Sequence, residues 1–221
     1  MIGVADEPAD VDGRVPPRER GARSDPALPG GGVLAIAVVG LALGLAATAI
    51  VLGRGWDPGA VAVGPWVTHP RIGTPSIDPY ARAELARSGA VPMASSEGLS
   101  FAATTDDTGY RLVSTCTYRL SGAVPPARFW TLTATDRAGL TLGGDAGRSA
   151  FTSTTVIRDA SGGFVIEAGP EARPGNWMAL SGDGPLTLTL RLYDTPLTGD
   201  TGEIASAALP GITRESCGGP G

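Results

Sequence analysis

Hydrophobic spacing changes three times along this chain, and each change marks a different kind of element. Residues 1 to 31 are polar, broken by Pro8, Pro16, Pro17, Pro26 and Pro29, and show no apolar period. A segment of that kind cannot bury enough apolar surface to order itself, so disorder is expected there. From Val33 to Leu52 the pattern becomes continuous: twenty apolar or small residues without a charge or an amide. That is the length of a helix crossing a bilayer. A core helix of a soluble domain would keep one polar face. Only Thr48 carries a hydroxyl, which can bond back to its own helix. Gly30, Gly31 and Gly32 precede the run, and Gly53, Arg54 and Gly55 end it, with Trp56 placed where an aromatic favours the interface.

A short helix is predicted next, over 79–88. Asp78 suits the N-cap, Pro79 the first helical position and Gly89 the C-cap. Its buried stripe is narrow, Ala81 and Leu85, so it must lean on something larger. From Leu99 onward the period is two, the signature of half-buried strands. In 110–120, Tyr110, Leu112, Ser114, Cys116, Tyr118 and Leu120 share one face, opposite Arg111, Thr115, Thr117 and Arg119. In 186–193, Leu186, Leu188, Leu190 and Leu192 face in, with Thr187, Thr189 and Arg191 opposite. Further strands are expected at 99–105, 129–135, 150–159, 163–168 and 212–217. The segments 106–109, 136–139 and 159–163, each opening on Asp and carrying Gly, read as turns.

These periods predict a mainly β, antiparallel β-sandwich with one short helix, preceded by a single transmembrane helix. The expected organisation is a disordered tail over 1–31, the transmembrane helix over 32–53, a linker over 54–63 and the sandwich over 64–217. Arg14, Arg18, Arg20 and Arg23 lie before the span, whereas Arg54 and then Arg71 follow it. This bias favours a cytoplasmic N-terminus and a body on the far side. The alternative is a cleaved secretory signal, with 47–49 or 60–62 as the small-residue site. Either outcome exports the body. Gly40 and Gly44, extended by Thr48, are spaced as a helix-packing seam that could support a homodimer; the plainer reading is a Gly- and Ala-rich anchor.

The formal net charge is −5, and the chain contains no lysine. Without a basic stripe, nucleic acid is not an expected partner. Both cysteines, Cys116 and Cys217, lie in the exported part, where a disulfide is the expected state. It would close a loop of about 102 residues and contribute roughly 4 to 5 kcal/mol on the chain-entropy model. Two separately buried thiols are the alternative. Two cysteines and one histidine do not make a four-ligand metal site, and no metal or other cofactor is expected.

Three ordered segments carry a resemblance. They are Pro126-Ala127-Arg128-Phe129-Trp130-Thr131-Leu132-Thr133-Ala134-Thr135-Asp136, then Pro174-Gly175-Asn176-Trp177-Met178 continuing into 184–196, and Leu209-Pro210-Gly211-Ile212-Thr213-Arg214. Together they resemble the bacterial family called domain of unknown function 1214, over roughly residues 64 to 217. The resemblance implies a jelly-roll-like β-sandwich body. Longer relatives carry a companion domain, domain of unknown function 1254, ahead of it, where this chain has its apolar helix. No reaction and no residue role comes with it.

No catalytic set stands out. His69 is the single histidine, but no Gly-x-Ser-x-Gly elbow accompanies it, so an exposed loop histidine is expected. The segment 143–148 is Gly-rich but lacks the Lys and hydroxyl of a phosphate-binding loop, and reads as a hairpin turn. Glu167 in a strand and Glu171 after it are the acids nearest to a carboxylate pair. Arg128 and Trp130, with Asn176 and Trp177, could form a ligand platform. The plainer reading is that Trp130 and Trp177 fill the core, with Arg128 pairing Asp136 at the strand ends. The expected role is a non-catalytic binding or interaction module of the bacterial inner membrane. In that reading its N-terminus is cytoplasmic, its body periplasmic, and residues 33–52 lie in lipid. An envelope protein or a saccharide would be the partner, and a carboxylate-pair enzyme is the alternative.

Overall fold

The computed structural model describes residues 30–53, 59–77, 79–88, 92–94, 96–144, 148–197 and 201–218. The chain divides into two compact units, residues 1–56 and 57–221.

In the first unit, helix α1 spans Gly30–Gly53. Residues 33–49 are exposed on every side, and the window Gly32–Ala49 has a mean hydropathy of 2.3 with nothing burying it. Its 24 residues reach roughly 36 Å at 1.5 Å each, enough to cross a hydrocarbon core about 30 Å thick. By length and composition this helix can cross a membrane; lying near the N-terminus, it meets the same test that a signal sequence meets. Thr48 Oγ1 donates to the Gly44 carbonyl at 2.8 Å, so the run's one hydroxyl is satisfied within the helix. Residues 1–29 of the expected tail, with Arg54, Trp56, Asp78 and Gly89, lie outside the described residues, and Gly30 and Gly31 belong to α1.

The second unit is mainly β. Its elements are β1 (Val61–Val63), β2 (Trp66–Thr68), α2 (Pro79–Ser88), β3 (Gly98–Ala103), β4 (Cys116–Gly122), β5 (Phe129–Thr135), β6 (Ala150–Thr152), β7 (Phe164–Gly169), β8 (Trp177–Ala179), β9 (Thr187–Tyr193), α3 (Thr201–Ala205) and β10 (Gly211–Cys217). Six strands form one sheet in the order β1-β2-β3-β9-β5-β6, and four form the other as β10-β4-β7-β8. Every pair is antiparallel except β7–β8. Phe101, Leu132 and Leu190 from the first sheet share one hydrophobic core with Leu120, Ile166 and Ile212 from the second. This arrangement fits a two-layer sandwich.

Alternation decides which side chains reach that core. In β9, Leu188, Leu190 and Leu192 are at most 1 % exposed, each contributing roughly 1.5–3 kcal/mol by burial. Gly98 starts β3 at a φ of 151°, and a Cβ there would lie 1.9 Å from the Leu192 carbonyl oxygen. Only glycine lets β3 approach β9 at that point.

The three expected Asp-Gly turns form as predicted. In each, the Asp Oδ1 accepts backbone N–H groups two and four residues on: from Thr108 and Tyr110, Ala138 and Leu140, Ser161 and Gly163. Two strand expectations ran too long by more than two residues. The run 110–120 is continuous only from Cys116, because a turn at Ser114–Thr115 interrupts it and leaves single bridges at Arg111 and Val113. Tyr110 is consequently exposed rather than on the buried face. The run 150–159 stops at Thr152, where Val156 N–H turns back to the Thr152 carbonyl. Strands β1, β2 and β8 and helix α3 were not expected: at three to five residues they are too short for a period to register. β1 lies inside the segment read as linker.

Candidate functional site

The four platform residues do not share a surface. Trp130 sits on the inner face of β5, 1 % exposed, stacked 5.3 Å from Phe164. Asn176 is buried and fully engaged: its Oδ1 accepts from Ile157 N–H at 2.7 Å, and its Nδ2 donates to the Ile157 and Val165 carbonyls at 2.8 and 2.9 Å. It ties the loop before β8 to β7. Trp177, half-buried on β8, donates from Nε1 to the Gly169 carbonyl. Arg128 extends into solvent and meets Asp194 at 4.0 Å. Asp136 is occupied in its own turn instead. Three of the four thus spend their polar or aromatic surface on holding the fold.

Cys116 and Cys217 form a disulfide joining directly paired residues of β4 and β10. The same end of the four-stranded sheet carries a buried polar knot. Asp106 is 2 % exposed; its Oδ1 accepts from Thr108 and Tyr110, and its Oδ2 lies 3.1 Å from Arg214 Nε. Burial pushes the Asp106 carboxyl up, but those hydrogen bonds and the Arg214 charge prevail and hold it below the usual carboxylate range. Arg214 also donates to the Arg111 carbonyl and lies over the rings of Tyr110 and Tyr118. Beside it, Asp107 exchanges backbone and side-chain hydrogen bonds with Ile212. Burial raises the Tyr118 hydroxyl, which accepts from Val113 N–H at 2.8 Å. These contacts pin the C-terminal strand to the body.

The outer face of the same sheet brings together two acids that are distant in sequence. Glu167 pairs with Arg119 at 2.9 Å, and Glu215, on the bulge of β10, with Arg173 at 3.4 Å. Burial and the nearby charge of Glu215 raise the Glu167 carboxyl, against the opposing pull of Arg119 and Arg173. The partner of Glu167 is therefore Glu215, about fifty residues away in sequence, and not Glu171. Neither acid lines a cavity described below.

Open space lies on the other sheet. One cavity of about 340 Å³ is lined by His69, Arg71, Ile72, Ser76, Pro79 and Ala81, among others. A second, of about 200 Å³, lies over the outer face of β3 and β9. Its walls include His69, Ile72, Leu85, Met93, Ser100 and Arg191. His69 and Ile72 serve both. His69 follows β2 directly and is half-buried, rather than the exposed loop residue expected. Arg191 is placed by register: on the central strand β9 it faces Ser100 of β3 on one side and Thr131 of β5 on the other. Its neighbours on the outer face include Ser100, Ala102, Phe129, Thr131, Thr133, Thr189 and Tyr193, none of them charged. A single arginine in a row of threonines was the sequence signal for this site. Among the described residues no cluster of His, Cys, Asp and Glu could hold a metal ion.

The model of a family described as protein of unknown function (DUF1214) matches residues 97–197. The resemblance expected from the sequence is thereby shown from the start of β3 through the end of β9, a narrower stretch than 64–217. No curated protein matches the chain. Among solved structures, the VPA0106 protein from Vibrio parahaemolyticus is similar with a TM-score of 0.50 and 18 % identity, covering 61 % of this chain and 35 % of that one. An uncharacterized protein from Burkholderia cenocepacia aligns at a TM-score of 0.39 and 16 % identity, covering 66 % and 44 %. The chain thus spans about a third of the first structure's length and less than half of the second's. The first likeness bears on the fold alone.

Proposed function

We propose, for a chain whose residues 97–197 carry the DUF1214 match, a single-pass, membrane-anchored envelope protein with a non-catalytic binding body. In this reading residues 1–31 are a cytoplasmic tail, 32–53 cross the inner membrane, 54–63 connect, and 64–217 fold in the periplasm. One observation carries the reading: an apolar helix with no buried face lies upstream of a body closed by a disulfide. Such bonds persist in oxidising compartments, and the arginine bias across the span supports the same orientation. Binding rather than turnover is supported by where the open space lies. The cavities carry apolar walls and a few polar groups, while the two convergent acids face outward between arginines.

The alternative is an enzyme using a carboxylate pair on a carbohydrate or envelope metabolite, for which the raised Glu167 beside Glu215 is the favouring observation. A pair acting on a glycosidic bond must flank it from both sides of a cleft, and an open sheet face is a poor setting for that. A homodimer through Gly40 and Gly44 belongs to the same proposal; a Cβ at either would meet nothing within 4 Å in this chain.

The test is a C-terminal fusion of the full chain, made in parallel to alkaline phosphatase and to green fluorescent protein. The reading expects phosphatase activity in the membrane fraction and no fluorescence, with an N-terminal epitope retained on the same polypeptide. A fluorescent, phosphatase-inactive or cytosolic product overturns the location. Loss of the epitope from an exported body converts the anchor into a cleaved signal.

A further inference from the structure

We infer that the smaller cavity, over the outer face of β3 and β9, is a binding site for a small aliphatic carboxylate whose anion pairs with Arg191. The inference rests on the binding-module reading and names its ligand class.

Arg191 is the reason. A guanidinium stays charged at any physiological pH, and withdrawing it from water without a partner costs free energy. Arg191 is half-buried on the central strand of its sheet, yet among the described residues its side chain has no ion-pair or hydrogen-bond partner. Arg119, Arg173 and Arg214 each meet a carboxylate within 3.4 Å. Among the described residues, no Asp or Glu lines the cavity that Arg191 borders. The fork of a guanidinium matches a carboxylate through two parallel hydrogen bonds. Ser100, directly across from Arg191 in register, and His69 among the lining residues place further polar groups there.

The remaining walls set the rest of the ligand. Ile72, Leu85, Met93 and Val67 are apolar and favour a hydrocarbon chain over a sugar. The cavity measures about 200 Å³, and a short chain such as that of hexanoate is a suitable probe of it.

The test is calorimetric titration of the full-length chain in lipid nanodiscs with hexanoate, using empty nanodiscs as the blank. Saturable one-to-one binding is expected. Hexanamide, which keeps the chain and loses the charge, should bind at least about tenfold more weakly, and so should hexanoate to Arg191→Gln. Arg191→Lys keeps the charge without the fork and should fall between. Circular dichroism and an intact disulfide establish that each variant is folded. Equal binding of hexanoate and hexanamide, or unchanged binding by folded Arg191→Gln, overturns the site. Absence of hexanoate binding to an exported, folded body overturns the ligand class and leaves the envelope reading standing. Hexanoate binding to a body shown to be cytoplasmic does the reverse.

Discussion

The two sheets close over one core but turn opposite chemistries outward. The four-stranded sheet spends its charges on itself: Arg119 meets Glu167, Arg173 meets Glu215, and Arg214 meets Asp106 at the edge where the disulfide closes. The six-stranded sheet presents Ser, Ala and Thr, one unmatched Arg191, and the open space above them. Charge count alone would have sent attention to the first face. What distinguishes a site from a fastening is whether the charge already has its partner.

The largest expected effect tests the fastening. Replacing Cys116 and Cys217 together by serine should cost roughly 4 kcal/mol, less any compensation in the unfolded state, seen as a fall in Tm on the order of 10 °C. Hexanoate affinity well below that Tm should not change. If Tm is unaffected, the C-terminal strand is not held by the crosslink, and the contrast between the two faces loses its structural half.

Gly98→Ala comes next, on the other sheet. The added methyl meets the Leu192 carbonyl oxygen at 1.9 Å, with φ at 151°, so about 2 to 4 kcal/mol should be lost in a denaturant titration. Because Gly98 also borders the smaller cavity, hexanoate binding should weaken as well, whereas the disulfide variant keeps it. An alanine tolerated without cost would mean that β3 and β9 are not so closely apposed.

The smallest effect concerns the paired charges. Burial and Glu215 raise the Glu167 carboxyl above its ordinary value, so the folded state holds that proton more tightly than the unfolded chain. Its contribution is therefore fully present below the unfolded Glu range and is lost as pH rises through the folded value. Glu167→Gln should flatten the stability–pH profile just above the ordinary glutamate range, by no more than about 1 kcal/mol, the scale of a partly exposed ion pair. A profile that keeps its slope in the variant would assign the titration elsewhere.

How much of this was legible beforehand follows from what each signal depends on. Strand β9 read clearly because Leu188, Leu190 and Leu192 alternate with polar residues, and β5 matched its bounds because β9 pairs with it along its whole length. The run from Tyr110 misled because a turn at Ser114 preserves the two-residue spacing while breaking the ladder. Helix α2 kept its predicted extent, but the cavity beside it depends on residues from five separate segments, which no local pattern can bring together. Trp130 and Asn176 drew attention as a platform by composition, yet aromatic and amide groups serve a core and a loop clamp equally well, and burial decided between them. Arg191 was visible as the odd residue on a threonine face. Its want of a counter-charge was not, because that depends on which acids fold elsewhere.

The most direct measurement is hydrogen–deuterium exchange on the full-length chain in nanodiscs, with and without saturating hexanoate, under non-reducing conditions. The account predicts slower exchange confined to residues 67–72, 85–88, 92–94, 98–103 and 187–193, with 116–122, 164–169 and 211–217 unchanged. Protection appearing instead on β4, β7 and β10, or nowhere, would contradict it.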